Sequence, residues 1–248
     1  MTNFIPWLVA ALACTALPAA AADSSALAEQ LKARYQASSV RLSSNSQAQP
    51  EGLFSIDGAQ QPSPTSQSFI AGASSKRDPA LAIALQFLSE NSDLLSASAE
   101  DFLLKKRSED QFGVQHFRFL RTLAGIPVAD MEVIVHVNTN NSLSGVNGNI
   151  VRPSQQLIDH VTQTNIDGLI DKVQALTTVA GLRAEQPQKL RLLNAELLLF
   201  SNTPHIRWHL DINSKAQLGR YSYWLDAETG ELIDVKNTLR HPIPLTNY

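Results

Sequence analysis

The sequence predicts an α+β fold made of two small helix-plus-antiparallel-sheet domains, and three observations carry that expectation. A capped amphipathic helix opening at Asp78-Pro79 is followed by runs of period-two alternation at 102–107, 114–121, 131–137 and 146–151. The plan then recurs: Ile166, Leu169, Ile170, Val173, Leu176 and Ala180 keep helical spacing, and strand-like runs follow at 189–200, 205–212, 220–225 and 231–235. With 248 residues, 44% hydrophobic and 17% charged, the chain is long enough to build two such cores.

The elements follow in order along the chain. Leu27, Leu31 and Tyr35 stand four apart, which predicts a short amphipathic helix over 25–35 with Ser24 or Ser25 as its cap. Residues 36–50 and 58–76 turn to Ser, Gln, Asn and Pro and read as loop or linker, with a short strand at 53–56 between them. Asp78 caps the next helix, Pro79 fills its first turn where a missing N–H costs nothing, and Leu81, Ala84, Leu85 and Leu88 form one stripe ending near Asn91. The Asn138 to Asn141 run joins two strands as a hairpin turn, and 153–163 reads as a polar connector.

In the second sheet the faces separate cleanly. Ile206, Trp208, Leu210 and Ile212 lie on one side of their strand, with His205, Arg207, His209 and Asp211 on the other. Trp208 and Trp224 are both expected in or beside the second core. Gly230 closes the turn 226–230 at a position suited to left-handed backbone.

Lys plus Arg number 20 against 23 Asp plus Glu, a formal charge of −3 with no long run of either sign. That balance excludes a nucleic-acid footprint and a polybasic membrane patch. Residues 1–22 read as a secretory signal peptide: an apolar run from Ile5 to Leu17, Pro18, then Ala19 to Ala22 as an A-x-A cleavage pattern before Asp23, although no Lys or Arg stands in the first residues. The run is shorter than the roughly 20 residues that cross a bilayer, so export to a secreted or periplasmic location is expected, with no membrane span in the mature chain. The one cysteine, Cys14, lies inside the signal, so the mature chain is expected to hold together without disulfides.

Catalytic constellations are tested by spacing. No H-E-x-x-H, G-x-S-x-G, Ser-x-x-Lys or phosphate-binding glycine loop occurs, so no catalytic residue, metal ligand or cofactor is expected. Glu132 with His136, and His205 with His209, stand on strands where four residues span about 13 Å, too far to share one ion. His209 and Asp211, about 7 Å apart on one strand face, could be read as half of a triad, but with no identifiable Ser or Cys partner they read as ordinary polar residues of a strand face.

The segments His116-Phe117-Arg118-Phe119, Gly125-Ile126-Pro127-Val128, Glu132 to His136, and Gly145-Val146-Asn147-Gly148-Asn149 resemble the fungalysin/thermolysin propeptide domain in order, spacing and strand context. The helix end 85–91 resembles that family's helix before the sheet, whereas Leu120, Arg121 and Leu123 depart from its usual polar and aromatic residues. The residues carrying the motif are Arg118, Phe119, Gly125, Pro127, Val128, Glu132, His136, Asn147 and Gly148. Gly125 to Val128 also has a reading of its own, a turn punctuated by Gly and Pro that re-enters a strand. From Ile166 to Lys236 the helix and the Trp224 to Leu232 turn are similar to a PepSY domain, which follows the first module in such proteases.

This resemblance implies a division into a signal peptide (1–22), an N-terminal helix and linker (23–50), a propeptide-like domain (51–152), a PepSY-like domain (153–241) and a tail (242–248). In the family this pair of modules helps a zinc metalloprotease fold and blocks its cleft. The resemblance therefore implies a non-catalytic protein that binds a thermolysin-like metalloprotease as inhibitor or folding chaperone. The alternatives are a severed proregion fragment with no activity of its own and an enzyme of unrecognised type. Leu239, Arg240, His241, Pro242 and Ile243 resemble the junction through which such prosegments enter the cleft, and a proline after His241 would resist cleavage there.

Overall fold

The computed structural model describes residues 23–61, 78–214 and 219–238. The expectations for the signal peptide at 1–22 and for the cleft-entering residues 239–243 lie outside the described residues.

Six strands build the first sheet in the order β1-β2-β6-β5-β4-β3: β1 Ser39–Ser44, β2 Pro50–Gln61, β3 Phe102–Glu109, β4 Gln115–Leu123, β5 Ile126–Val137 and β6 Leu143–Ile150. All their pairings are antiparallel. Helices α1 (Ser24–Arg34), α2 (Pro79–Glu90) and the single turn α3 (Ser92–Leu95) supply the residues that close its core. Four further strands, β7 Leu190–Phe200, β8 Thr203–Ser214, β9 Gly219–Asp226 and β10 Leu232–Asn237, form an antiparallel meander with α4 (Gln155–Gln163) and α5 (Lys172–Leu182) packed on it. The two sheets are continuous through a short parallel contact, Val128 of β5 opposite Leu199 of β7.

β5 serves both cores, and a change of phase lets it do so. Met131, Val133, Val135 and Val137 are buried on alternate positions, but Ile126 and Val128 are buried on the opposite parity, with half-buried Ala129 and Asp130 between. The register against β4 slips at the same place, between Leu120 and Thr122. Such a slip flips every following side chain to the other face. Val133, Val135 and Val137 therefore pack with Phe54, Phe87, Phe117 and Phe119, and Ile126 and Val128 pack with Leu157, Leu199, Ile206 and Trp208, while Met131, at the changeover but in phase with the valines, joins the second core.

Several expectations are corrected. The first helix is capped by Asp23, whose carboxylate accepts from Ser25 N at 3.0 Å, and buried Ser24 instead donates its hydroxyl to Ala48 O. Residues 36–50 contain β1, an edge strand paired along β2, because polar Ser39, Arg41 and Ser43 alternate with half-buried Val40 and Leu42. The stretch 153–163, expected as a connector, is helical from Gln155: Ser154 accepts from Leu157 N at 3.2 Å as its cap, and Leu157 and Val161 are buried four apart. The long helix expected from Ile166 is broken, since Ile166–Gly168 forms one 3-10 turn and α5 begins only after Asp171, which makes a capping box with Gln174. Asp78 and Asn91 do bound α2 as expected, with Asp78 accepting from Leu81 N.

Candidate docking face of the first sheet

The motif residues divide between the two faces of the first sheet. Phe119 and Gly148 point into the core beside Val133, and Val128 enters the second core. Arg118, Glu132, His136 and Asn147 share the outer face, because each lies one strand position from a buried neighbour. Two cross-strand rows run over this face. One passes through Ser108, His116, His136, Gly145 and Asp57, and the next through Lys106, Arg118, Ile134, Asn147 and Ser55.

The four motif side chains on this face, Arg118, Glu132, His136 and Asn147, are all paired. Arg118 Nη1 donates to Glu132 Oε2 at 2.9 Å, and His136 Nε2 stands 2.5 Å from Asn147 Oδ1. His116 Nδ1 is 2.5 Å from His136 Nδ1, with the rings edge to face, and His116 Nε2 is 3.4 Å from Asp110 Oδ2. Burial pushes the His136 pKa down, the Asn147 bond opposes it, and His116 adds to the depression. Partial desolvation pushes the Asp110 carboxyl up, but the N–H groups of Phe112 and Val114 with His116 outweigh it and hold it below the usual carboxylate range.

Asp110 also shapes the tip of the β3–β4 hairpin. Its Oδ1 accepts from Phe112 N at 2.9 Å and Val114 N at 3.0 Å, and Gly113 takes φ +79°. The turn holds Phe112 in solvent at 76% exposure, an unusual place for an ordered aromatic ring. A shallow hollow of about 280 Å³ lies over the His116–His136 row, lined by Val114, His116, His136, Gly145, Asn147 and Asp57. The sequence singled out His136 and Asn147 but not the row of contacts that continues through His116 to Asp110. Only the register between strands brings these together, although a His in each of two neighbouring strand runs was the available signal.

The motif glycines have backbone reasons. A Cβ on Gly148 would lie 2.4 Å from Glu132 O and 2.6 Å from the Phe54 ring, so β5 and β2 leave no room for one. Gly148→Ala is expected to cost about 1–3 kcal/mol as overpacking, measured by urea unfolding; an unchanged midpoint would refute that tight approach. Gly125, at φ +80°, follows Ala124 at φ +48°, a two-residue hairpin turn of the kind that matches strand twist, and Pro127 lies just inside β5.

On the second sheet, His209 and Asp211 are a sheet network and not half of a triad. Asp211 accepts from the Ser222 hydroxyl at 2.5 Å and from Arg220 at 3.2 Å, and stands 3.5 Å from His209 Nε2. The Ser222 hydroxyl proton thus goes to the carboxylate and not to the imidazole, which is not the order a triad needs. Ser222 is a partner that the sequence reading missed. His205 pairs with Asp226 at 3.4 Å, and His209 stacks on Trp224. Among the described residues no group of three or more His, Cys, Asp or Glu could hold a metal ion, and no helix is long and apolar enough to cross a membrane.

Comparison with known proteins places these features. Bacillolysin of Bacillus subtilis (strain 168) is 24% identical over 165 residues, covering 63% of this chain and 31% of that protein. Bacillolysin of Bacillus amyloliquefaciens is 22% identical over 174 residues with the same coverage. The chain thus spans less than a third of the length of these curated relatives. Among solved structures, the Bacillus megaterium YpeB C-terminal domain superposes with a TM-score of 0.40 at 14% identity, covering 86% of this chain and 97% of that one. The family model described as Fungalysin/Thermolysin Propeptide Motif matches residues 100–150. Strands β3 to β6, with Arg118, Glu132, His136 and Asn147 on their outer face, therefore carry a fungalysin/thermolysin propeptide motif.

Proposed function

We propose that this chain is a non-catalytic, exported proregion-like protein that binds a thermolysin-like zinc metalloprotease and inhibits it, assists its folding, or both. The propeptide-motif match over residues 100–150 is the observation that carries the reading. The similarity to bacillolysins supports the choice of partner. Two modules, a propeptide-like one at 51–152 and a PepSY-like one at 153–241, would act as one binding body, since β5 feeds both cores. The signal-like residues 1–22 are the basis for export in this reading. Arg118, Glu132, His136 and Asn147 would lie at or near the contact, with residues 239–243 entering the cleft.

Burial of an interface of standard size, about 1,600 Å², is enough for tight inhibition without any covalent step. The test adds the purified chain to a bacillolysin-type protease and follows peptide hydrolysis, and in parallel measures the yield of active protease refolded from denaturant. Inhibition that titrates to one chain per protease, or a raised refolding yield, is expected. Neither effect at micromolar chain would overturn the reading. A form ending at Val235 separates the tail from the folded body: undiminished inhibition by that form would remove residues 239–243 from the mechanism.

A further inference from the structure

Two hydrogen bonds and one ion-pair contact, running from Asn147 to Asp110, fix where protons sit. Asn147 Oδ1 accepts, so His136 carries a proton on Nε2, 2.5 Å away. A neutral imidazole bears only one ring proton, which leaves His136 Nδ1 as an acceptor. His116 Nδ1, 2.5 Å from it, must then be the donor. The remaining nitrogen, His116 Nε2, faces the Asp110 carboxylate at 3.4 Å, an acceptor, and therefore also calls for a proton. Both hydrogen bonds and the ion pair with Asp110 are present together only when His116 has both protons and His136 has one.

We propose that His116 and His136 act as one unit holding a single added proton, and that a second proton breaks their contact and loosens the β4–β5 rung beside the Phe112 turn. A doubly protonated pair would set two N–H groups against each other at a separation that only a donor and an acceptor can share. Removing the first proton instead leaves a bare nitrogen facing the Asp110 carboxylate. The bonded state thus occupies a window of pH, bounded on both sides.

The surroundings favour one added charge and oppose two. Asp110 in the β3–β4 turn and Asp57 on β2 are the acidic groups that act on the pair. Glu132 on β5 is occupied by Arg118 on β4, and Lys106 on β3 stands opposite Arg118 in the next row. Arg41 on β1 reaches Asp57 at 4.0 Å. Ser108 on β3 and Gly145 on β6 end the row without charge. The His136 pKa is depressed, chiefly by burial, so the unfolded chain binds that proton first. This contribution to stability is fully present above about pH 6.5 and is lost as the pH falls through the unfolded value toward the folded one.

Imidazole nitrogen-15 NMR of the chain between pH 8 and 4.5 tests the proposal. The expected spectra show His136 still neutral, with its proton on Nε2, where His116 already carries two. The pair should take up its two protons in two separate steps. The second step should shift the amides of Phe112 and Gly113. In His116→Asn, which removes the neighbouring charge, the His136 midpoint should rise. Two independent titrations, both near the ordinary value of about 6.5, would overturn the proposal, as would an unmoved His136 midpoint in the variant. If His116→Asn fails to fold, the tautomer and separation of midpoints in the unmodified chain decide alone.

Discussion

Trp208→Ala is expected to lower the free energy of unfolding by about 3–5 kcal/mol, the range for removing a large aromatic from a core. Trp208 is only 9% exposed and packs among Ile206, Leu210 and Ile212, the inward face of β8. Its Nε1 also donates to Ile170 O at 2.8 Å, tying the sheet to the segment that leads into α5. Trp208→Phe should cost less, because most of the buried area survives while the bond to Ile170 is lost. Trp224→Ala provides the contrast. That ring lies on the opposite face, half-buried, stacked 4.0 Å from His209 and edge-on to Phe200. Its loss should therefore cost clearly less than that of Trp208. Urea unfolding of the three variants measures the order, and equal losses at 208 and 224 would mean that the second core extends through the sheet to both faces.

What could be read in advance follows the range of the interaction concerned. Asp78-Pro79, the strands of β8 and β9, the Asn138 to Asn141 turn and Gly230 at φ +78° are set by neighbours within a few residues, and these were legible. β1 was not, because an edge strand rich in Ser and Arg is held by its ladder with β2 and not by its own pattern. Helix α4 was missed since its apolar contribution is small, with Leu157 and Val161 as its buried residues, and its helicity depends on the Ser154 cap and packing on β8. The phase slip in β5 obscures the five residues before Met131, because it breaks the strict alternation that marks a strand. On the candidate face, Arg118, Glu132, His136 and Asn147 were legible as a motif. The His116 to Asp110 chain depended on register, which one strand by itself does not encode.

The second large effect concerns a buried ion pair where α5 ends. Ala184 takes φ +51° and Glu185 N bonds back to Ala180 O at 2.9 Å, so the chain turns sharply and brings Arg183 and Glu185 side by side. Their side chains are each only 6% exposed, and Arg183 Nε donates to Glu185 Oε1 at 2.9 Å. The Ser214 hydroxyl lies 3.0 Å from both oxygens of Glu185; Arg183 Nη1 donates to Tyr223 OH at 2.7 Å and the guanidinium lies over Tyr221. Glu185→Ala removes the carboxylate while the contacts of Arg183 to Tyr221 and Tyr223 remain, and the expected cost is about 2–3 kcal/mol, the range for losing a charged hydrogen bond. Replacing both partners at once, Arg183→Met with Glu185→Leu, removes the charge together with its counter-charge, so the double variant should lose less than the sum of the single ones. A double-mutant cycle by urea unfolding reads the difference. Strictly additive losses would show that Arg183 is held by Tyr221 and Tyr223 independently of Glu185, and that the carboxylate serves Ser214 alone.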